Sequence, residues 1–137
     1  MLNISQWFKY IVVMMVSIMS SSLAAEEAMI KGNAFYLERI ALPENAVFEA
    51  TLEDVSLMDV PAIILGNVVI ESFAIPVNFS IHYDSDEIKQ GHRYNVRGKI
   101  TVDERLIFIT DTAHPVLTGQ EQAELKLRMK RVRSLAE

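Results

Sequence analysis

The side chains of this sequence that could do chemistry are few and widely spaced. The histidines are His82, His92 and His114, with no i, i+4 pair of the kind that puts two imidazoles on one helix face for zinc. Asp84, Ser85, Asp86 and Glu87 share only acidity with a calcium loop, because the sharp-turn glycine and the closing bidentate glutamate are misplaced. A solvated turn accounts for them better. There is no Gly-x-Ser-x-Gly elbow, and a chain without cysteine has neither a thiol nucleophile nor a disulfide. Its five glycines form no phosphate-cradling cluster. The expectation is a non-enzymatic protein with no cofactor and no metal.

Charge narrows the partner class further. Residues 26–118 hold 15 acidic against 7 basic side chains, whereas residues 119–137 hold 5 basic against 3 acidic. An acidic body lacks the clustered Lys and Arg needed to displace counterions from nucleic acid, so no nucleic-acid partner is expected.

The elements that must position these residues follow from periodicity. Phe48, Ala50 and Leu52 alternate with Val47, Glu49 and Thr51; Ile75, Val77, Phe79 and Ile81 alternate with Pro76, Asn78, Ser80 and His82. Tyr94, Val96, Gly98, Ile100 and Val102 alternate with Arg93, Asn95, Arg97, Lys99 and Thr101. A period of two buries one face of a strand and wets the other, as antiparallel sheets allow. Pro43 with Asn45, residues 59–62, Gly66 with Asn67, and residues 84–91 supply turn chemistry, and Asp103 with Glu104 closes a tight hairpin. Leu106, Ile107, Phe108 and Ile109 are apolar without alternation, which predicts a central strand covered on both faces. Arg39 and Arg97 are expected to pair with Asp54 or Asp111 at strand ends, and Thr110 and Thr112 to satisfy turn amides.

After Leu117 the spacing becomes helical. Thr118 and Glu121 have capping-box spacing, and Leu125, Met129, Val132 and Ala136 fall on one stripe, with Lys126, Arg128, Lys130, Arg131 and Arg133 on the later turns. The predicted fold is therefore all-β, an antiparallel two-sheet β-sandwich of about seven strands with a C-terminal α-helix. That helix needs a surface to dock on, either its own domain or a partner. Leu125, Met129, Val132, Arg128 and Arg131 are the candidate partner-binding residues.

Residues 1–25 are expected to be an export signal that is removed. Lys9 supplies positive charge, residues 11–19 are apolar except Ser17, and Ser22 and Ala24 suit a signal peptidase that cuts after Ala24 or Ala25. A spanning helix needs about 20 apolar residues, so no stable membrane insertion is expected after cleavage. A lipid-bearing cysteine is missing, which predicts a periplasmic protein that is not a lipoprotein. The organisation expected is a leader at 1–25, a β body at 26–118 and a helical tail at 119–137.

Certain phrases go beyond generic strand patterning. They include residues 38–43 (Glu-Arg-Ile-Ala-Leu-Pro), 52–56 (Leu-Glu-Asp-Val-Ser), 59–62 (Asp-Val-Pro-Ala), 94–97 (Tyr-Asn-Val-Arg), 106–112 and 115–117. In this order, across residues 30–117, they resemble the type III secretion pilotin lipoprotein family of the YscW/YbaY type. The resemblance implies a β-sandwich without known enzymatic activity, and some members act as pilotins that bind a secretin and help it reach and assemble in the outer membrane. The function expected is a periplasmic binding module with an envelope or secretion-system partner, a secretin among the candidates. The alternative is a periplasmic small-molecule or ion-binding stress protein using the acidic loops.

Overall fold

The structure, a computed structural model, describes residues 26–117, 119 and 124–133. The proposed leader, the capping pair Thr118 and Glu121, and Ala136 lie outside the described residues. The strands are β1 (Glu27–Phe35), β2 (Ala46–Asp54), β3 (Ile63–Glu71), β4 (Val77–Asp84), β5 (Tyr94–Val102), β6 (Arg105–Thr110), β7 (Pro115–Val116) and β8 (Leu125–Arg131). A short 3-10 turn at Ser85–Glu87 follows β4.

All eight strands belong to one sheet in the order β3-β2-β5-β6-β8-β1-β4, with the short β7 added to β5. The two end strands, β3 and β4, run in opposite directions and meet, so the sheet curls into a nearly closed barrel. At this seam Gly66 lies against the main-chain carbonyl of His82, where a Cβ would overlap it. Gly66 and Asn67 therefore sit inside β3 and not in a turn, because glycine is the residue that permits this approach. The expected pair of stacked sheets is corrected by the same observation. Alternation requires one buried face per strand, and a single sheet closing on itself meets that requirement as well as two facing sheets do.

The strand registers expected from alternation hold. Phe48, Ala50 and Leu52 of β2, Val77, Phe79 and Ile81 of β4, and Tyr94, Val96 and Ile100 of β5 are all buried. Phe48 packs against Phe79 with ring centroids 5.6 Å apart, and Gly32 of β1 gives the Phe79 ring its space. Asp103 and Glu104 have φ of 49° and 63°, the left-handed pair of a type I′ hairpin. The Asn45 side-chain amide donates to Asp103 Oδ1 at 2.6 Å and ties that hairpin to the start of β2. β6 is central, flanked by β5 and β8, but it is not covered on both faces. Phe108 is fully buried, whereas Leu106 is 38 % exposed.

The tail is the largest correction, since residues 125–131 form strand β8 and not a helix. Leu125 and Met129 are four apart, a separation that shares a face in either geometry. Leu127 decides between them: it would leave a helical stripe, yet it is fully buried beside Met129, while Lys126, Arg128 and Lys130 face outward. β8 pairs in parallel with β1 and antiparallel with β6, joining two edges that would otherwise stay open. Leu, Lys, Arg and Met are good helix formers, but local propensity is a weak preference that such pairing overrides.

Candidate functional site

The barrel has two ends of different chemistry. At the upper end β1 and β3 finish and β2 and β4 begin, and the connections 36–45 and 72–76 bound a cleft of about 600 Å³. Tyr36, Leu42, Pro43, Phe73 and Ile75 line it, with Glu44 and Ser72 as polar groups. The lining is fixed by the core. The Tyr36 ring stacks on Phe108 with centroids 4.3 Å apart, and its hydroxyl donates to the Ile40 carbonyl at 2.9 Å, closing the first turn after β1. Burial raises the Tyr36 pKa, and the charge of Glu38 adds to this. Phe73 sets its ring edge-on to Phe48 at 6.1 Å. Leu37, 64 % exposed, and Ile40 stand in solvent on the loop that walls the cleft.

At the lower end Asp54, Ser56 and His92 come together. His92 Nδ1 lies 2.7 Å from Asp54 Oδ2, and Asp54 Oδ1 accepts from the Ser56 amide at 2.9 Å and the Ser56 hydroxyl at 2.5 Å. The Ser56 Oγ in turn accepts from the Arg93 amide at 2.7 Å. These are the residue types of a hydrolase triad in the wrong order. The carboxylate stands between serine and histidine, so the hydroxyl donates to an acid and is not activated by a base. The cluster is a clasp that fastens the end of β2 to the start of β5.

The clasp has a pH signature. Hydrogen bonds from His92 and then Ser56 lower the Asp54 pKa from 3.8 to about 2. A carboxylate whose folded pKa is depressed contributes stability that is present above its unfolded value and lost as pH falls through the folded one. The melting temperature should therefore drop between pH 4 and pH 2 in a way that Asp54→Asn flattens. Parallel acid-side melting profiles for the two proteins would count against the clasp.

The remaining polar residues do not converge. His82 faces outward from β4; the His114 amide donates to Asn95 Oδ1 at 2.6 Å, and burial lowers its side-chain pKa. Among the described residues no group of three or more His, Asp or Glu could hold a metal ion. Asp84 caps the 3-10 turn by accepting from the Asp86 amide at 2.9 Å, so part of the acidic loop serves local structure. The expected pairings of Arg39 and Arg97 with Asp54 or Asp111 are replaced: Arg97 reaches Glu53 at 3.8 Å, Asp54 takes His92, and Asp111 takes Lys130 at 2.5 Å. The Thr110 hydroxyl accepts from Gly98 N at 3.4 Å, inside the sheet and not in a turn.

The candidate partner-binding residues of the tail separate. Met129 is buried, Leu125 packs against the core, and Val132 is half-buried with its amide donating to the Ile107 carbonyl at 2.8 Å. Arg128 and Arg131 lie exposed on the outer face. The cleft was missed in the sequence, although Leu37, Ile40, Leu42 and Phe73 are a detectable excess of large apolar residues in connections that normally carry polar ones.

The fold is thus a small barrel-like sheet that carries, at one end, a cleft between the 36–45 and 72–76 connections. The family model for the type III secretion system lipoprotein chaperone (YscW) matches residues 25–129, and the chain belongs to that family. The match runs past Leu117 into β8, so the closing strand is part of the family domain. The "Uncharacterized lipoprotein YbaY" of Escherichia coli strain K12 is 32% identical over 107 residues, 76% of this chain and 56% of that protein. The chain thus spans about half the length of this curated relative. An alternative pilotin from the type II secretion system of Vibrio cholerae is 40% identical with a TM-score of 0.73, covering 80% of this chain and 100% of that one.

Proposed function

We propose that this protein is a pilotin-like chaperone of the bacterial envelope, holding a short apolar segment of a secretin or another secretion-system protein in the upper cleft. The observation that carries this reading is a cleft of about 600 Å³ whose lining is braced on the core through Tyr36 and Phe108, with Leu37 and Ile40 exposed beside it on the 36–45 connection. Such a volume falls within the roughly 300–1,000 Å³ usual for binding sites, enough for a few apolar side chains of an extended or helical segment. Family membership and the likeness to the Vibrio cholerae pilotin support a secretin-assisting role. Action in the periplasm rests on the apolar run at residues 11–19 and the small residues that follow, with cleavage near Ala24 or Ala25. Of the candidate tail residues, Arg128 and Arg131 are the ones that stand exposed, and they form a secondary contact in this reading.

The test is co-purification of secretin from envelope extracts, followed by titration of the binding segment. Leu37→Asp with Ile40→Asp should weaken capture at least about tenfold, the scale of losing an apolar anchor. The melting temperature should hardly move, because both side chains are on the surface. Arg128→Ala with Arg131→Ala should give a smaller loss that grows at low salt. Undiminished capture by the Leu37 and Ile40 double variant would reject the cleft as the site.

A further inference from the structure

Glu53 has a carboxylate oxygen that the fold leaves unmatched. The residue follows the inward Leu52 and lies opposite Asn95 of β5 and Ile64 of β3, which puts it on the outer face near the lower end of the sheet. It is nonetheless only 8 % exposed, and among the described residues its Oε2 has no hydrogen-bond donor. Arg97 Nη2 stands 3.8 Å from that oxygen, near enough to pair by charge and too far to donate. A buried oxygen without a donor is costly, so a donor brought from outside gains more here than at a solvated acid. The Arg97 side chain is half exposed and can swing aside to admit one.

The surroundings of Glu53 say what kind of molecule brings that donor. Ile64 beside it, and Leu57, Met58, Val60 and Ile63 in the connection that follows β2, are all more than half exposed. Five large apolar side chains within eight residues are unusual for a connection that turns a chain. The tip they form is held in place, because the clasp of Asp54, Ser56 and His92 closes its base and the Val55 amide donates to the Arg93 carbonyl at 2.8 Å. Charge completes the description. From residue 40 to residue 88 the sequence has nine acidic residues and no Lys or Arg. This stretch builds β2, β3 and β4 with the connections between them, so the side of the barrel that bears the tip attracts a basic partner and repels an anionic one. A second copy fits poorly. Two tips would bring the same acids together, and Lys126, Arg128 and Lys130 of β8 come without apolar companions, since Leu125, Leu127 and Met129 turn inward.

We propose that Glu53 and the 57–64 tip form a second protein-binding site, which takes a segment of another protein carrying Arg or Lys beside large apolar residues. The apolar side chains of the segment cover Leu57, Met58 and Ile64, and its cation donates to Glu53 Oε2. The apolar contact supplies affinity. The buried acid supplies selectivity, because a segment without a donor at that position leaves the oxygen unmatched. The site is at the opposite end of the barrel from the cleft, is independent of the cleft reading and stands if that reading fails.

The probe is a short dye-labelled peptide of Leu and Arg, titrated with the protein and followed by fluorescence anisotropy. Leu57→Ser with Ile64→Ser should weaken its binding at least about tenfold with an unchanged melting temperature, because both side chains are on the surface. Glu53→Gln should weaken it several-fold without lowering the melting temperature. Glu104→Gln, the same change of charge on the exposed hairpin at the upper end, should leave it unaltered. A peptide of Leu and Glu should not bind. Equal losses at Glu53→Gln and Glu104→Gln would overturn the proposal, since binding would then follow net charge alone. It would be overturned as well by no binding of the Leu and Arg peptide, or by binding that Leu37→Asp with Ile40→Asp abolishes. Self-association, or sedimentation with phosphatidylcholine vesicles, that Leu57→Ser with Ile64→Ser removes would give the tip to a second copy or to a bilayer and reject the basic segment.

Discussion

Removing residues 124–137 is expected to leave no cooperatively folded protein at growth temperature. The deletion takes β8 with the buried Leu127 and Met129 and the core-packed Leu125. It also opens the ladders that β8 makes with β1 and β6. Losing a buried Leu or Met side chain costs about 2–5 kcal/mol. Two or three such losses consume most of the roughly 5–15 kcal/mol that a domain has, before the unpaired edges are counted. Leu127→Asp makes the same point with one residue, because a carboxylate in the core has no partner there and must be protonated or drag in water. The check is thermal unfolding with amide NMR dispersion. A truncated chain that melts within a few degrees of the intact one would show the tail to be an appendage of the barrel and not one of its staves.

What could be read in the sequence, and what could not, divides along physical lines. The registers of β2, β4 and β5 were legible because each strand carries its own record: Phe48, Phe79 and Tyr94 alternate with polar neighbours, and alternation needs no knowledge of the rest of the chain. The Asp103 and Glu104 hairpin was legible for the same local reason. Closure into a barrel was not, because it depends on which strands meet at the seam, and the residue that marks this, Gly66, reads locally as a turn. β8 was misread since Leu125 and Met129 satisfy both periods, and Leu127, the residue that separates them, was set against a run of strong helix formers. The cleft escaped because it is assembled from two connections distant in sequence. Its braces, Tyr36 on Phe108 and Phe73 on Phe48, are contacts that no spacing rule announces. The meeting of Asp54, Ser56 and His92, with the acid in the middle, was not legible either, because it joins the end of β2 to the start of β5 across 38 residues.

Phe108 joins the fold to the proposed site, and substitutions there should separate stability from binding. The side chain is fully buried and its other face carries the stacked Tyr36 ring. Phe108→Ala should cost about 3–5 kcal/mol and leave little folded protein. Phe108→Leu keeps most of the apolar volume but gives up the ring pair, worth about 0.5–1.5 kcal/mol beyond area. It should lower the melting temperature by several degrees while the barrel persists. Tyr36 would then hold the wall of the cleft by its hydrogen bond to the Ile40 carbonyl alone, and a looser wall must be ordered again when a partner binds, which weakens affinity. Ile81→Val is the matched comparison: it removes one buried methylene near the far end of β4 at a similar cost of about 0.5–1.5 kcal/mol without touching Tyr36. Phe108→Leu should bind the captured segment several-fold more weakly than Ile81→Val at equal folded fraction, measured by calorimetric titration. Equal affinities for the two would mean that the stacked pair braces the barrel and has no part in shaping the cleft.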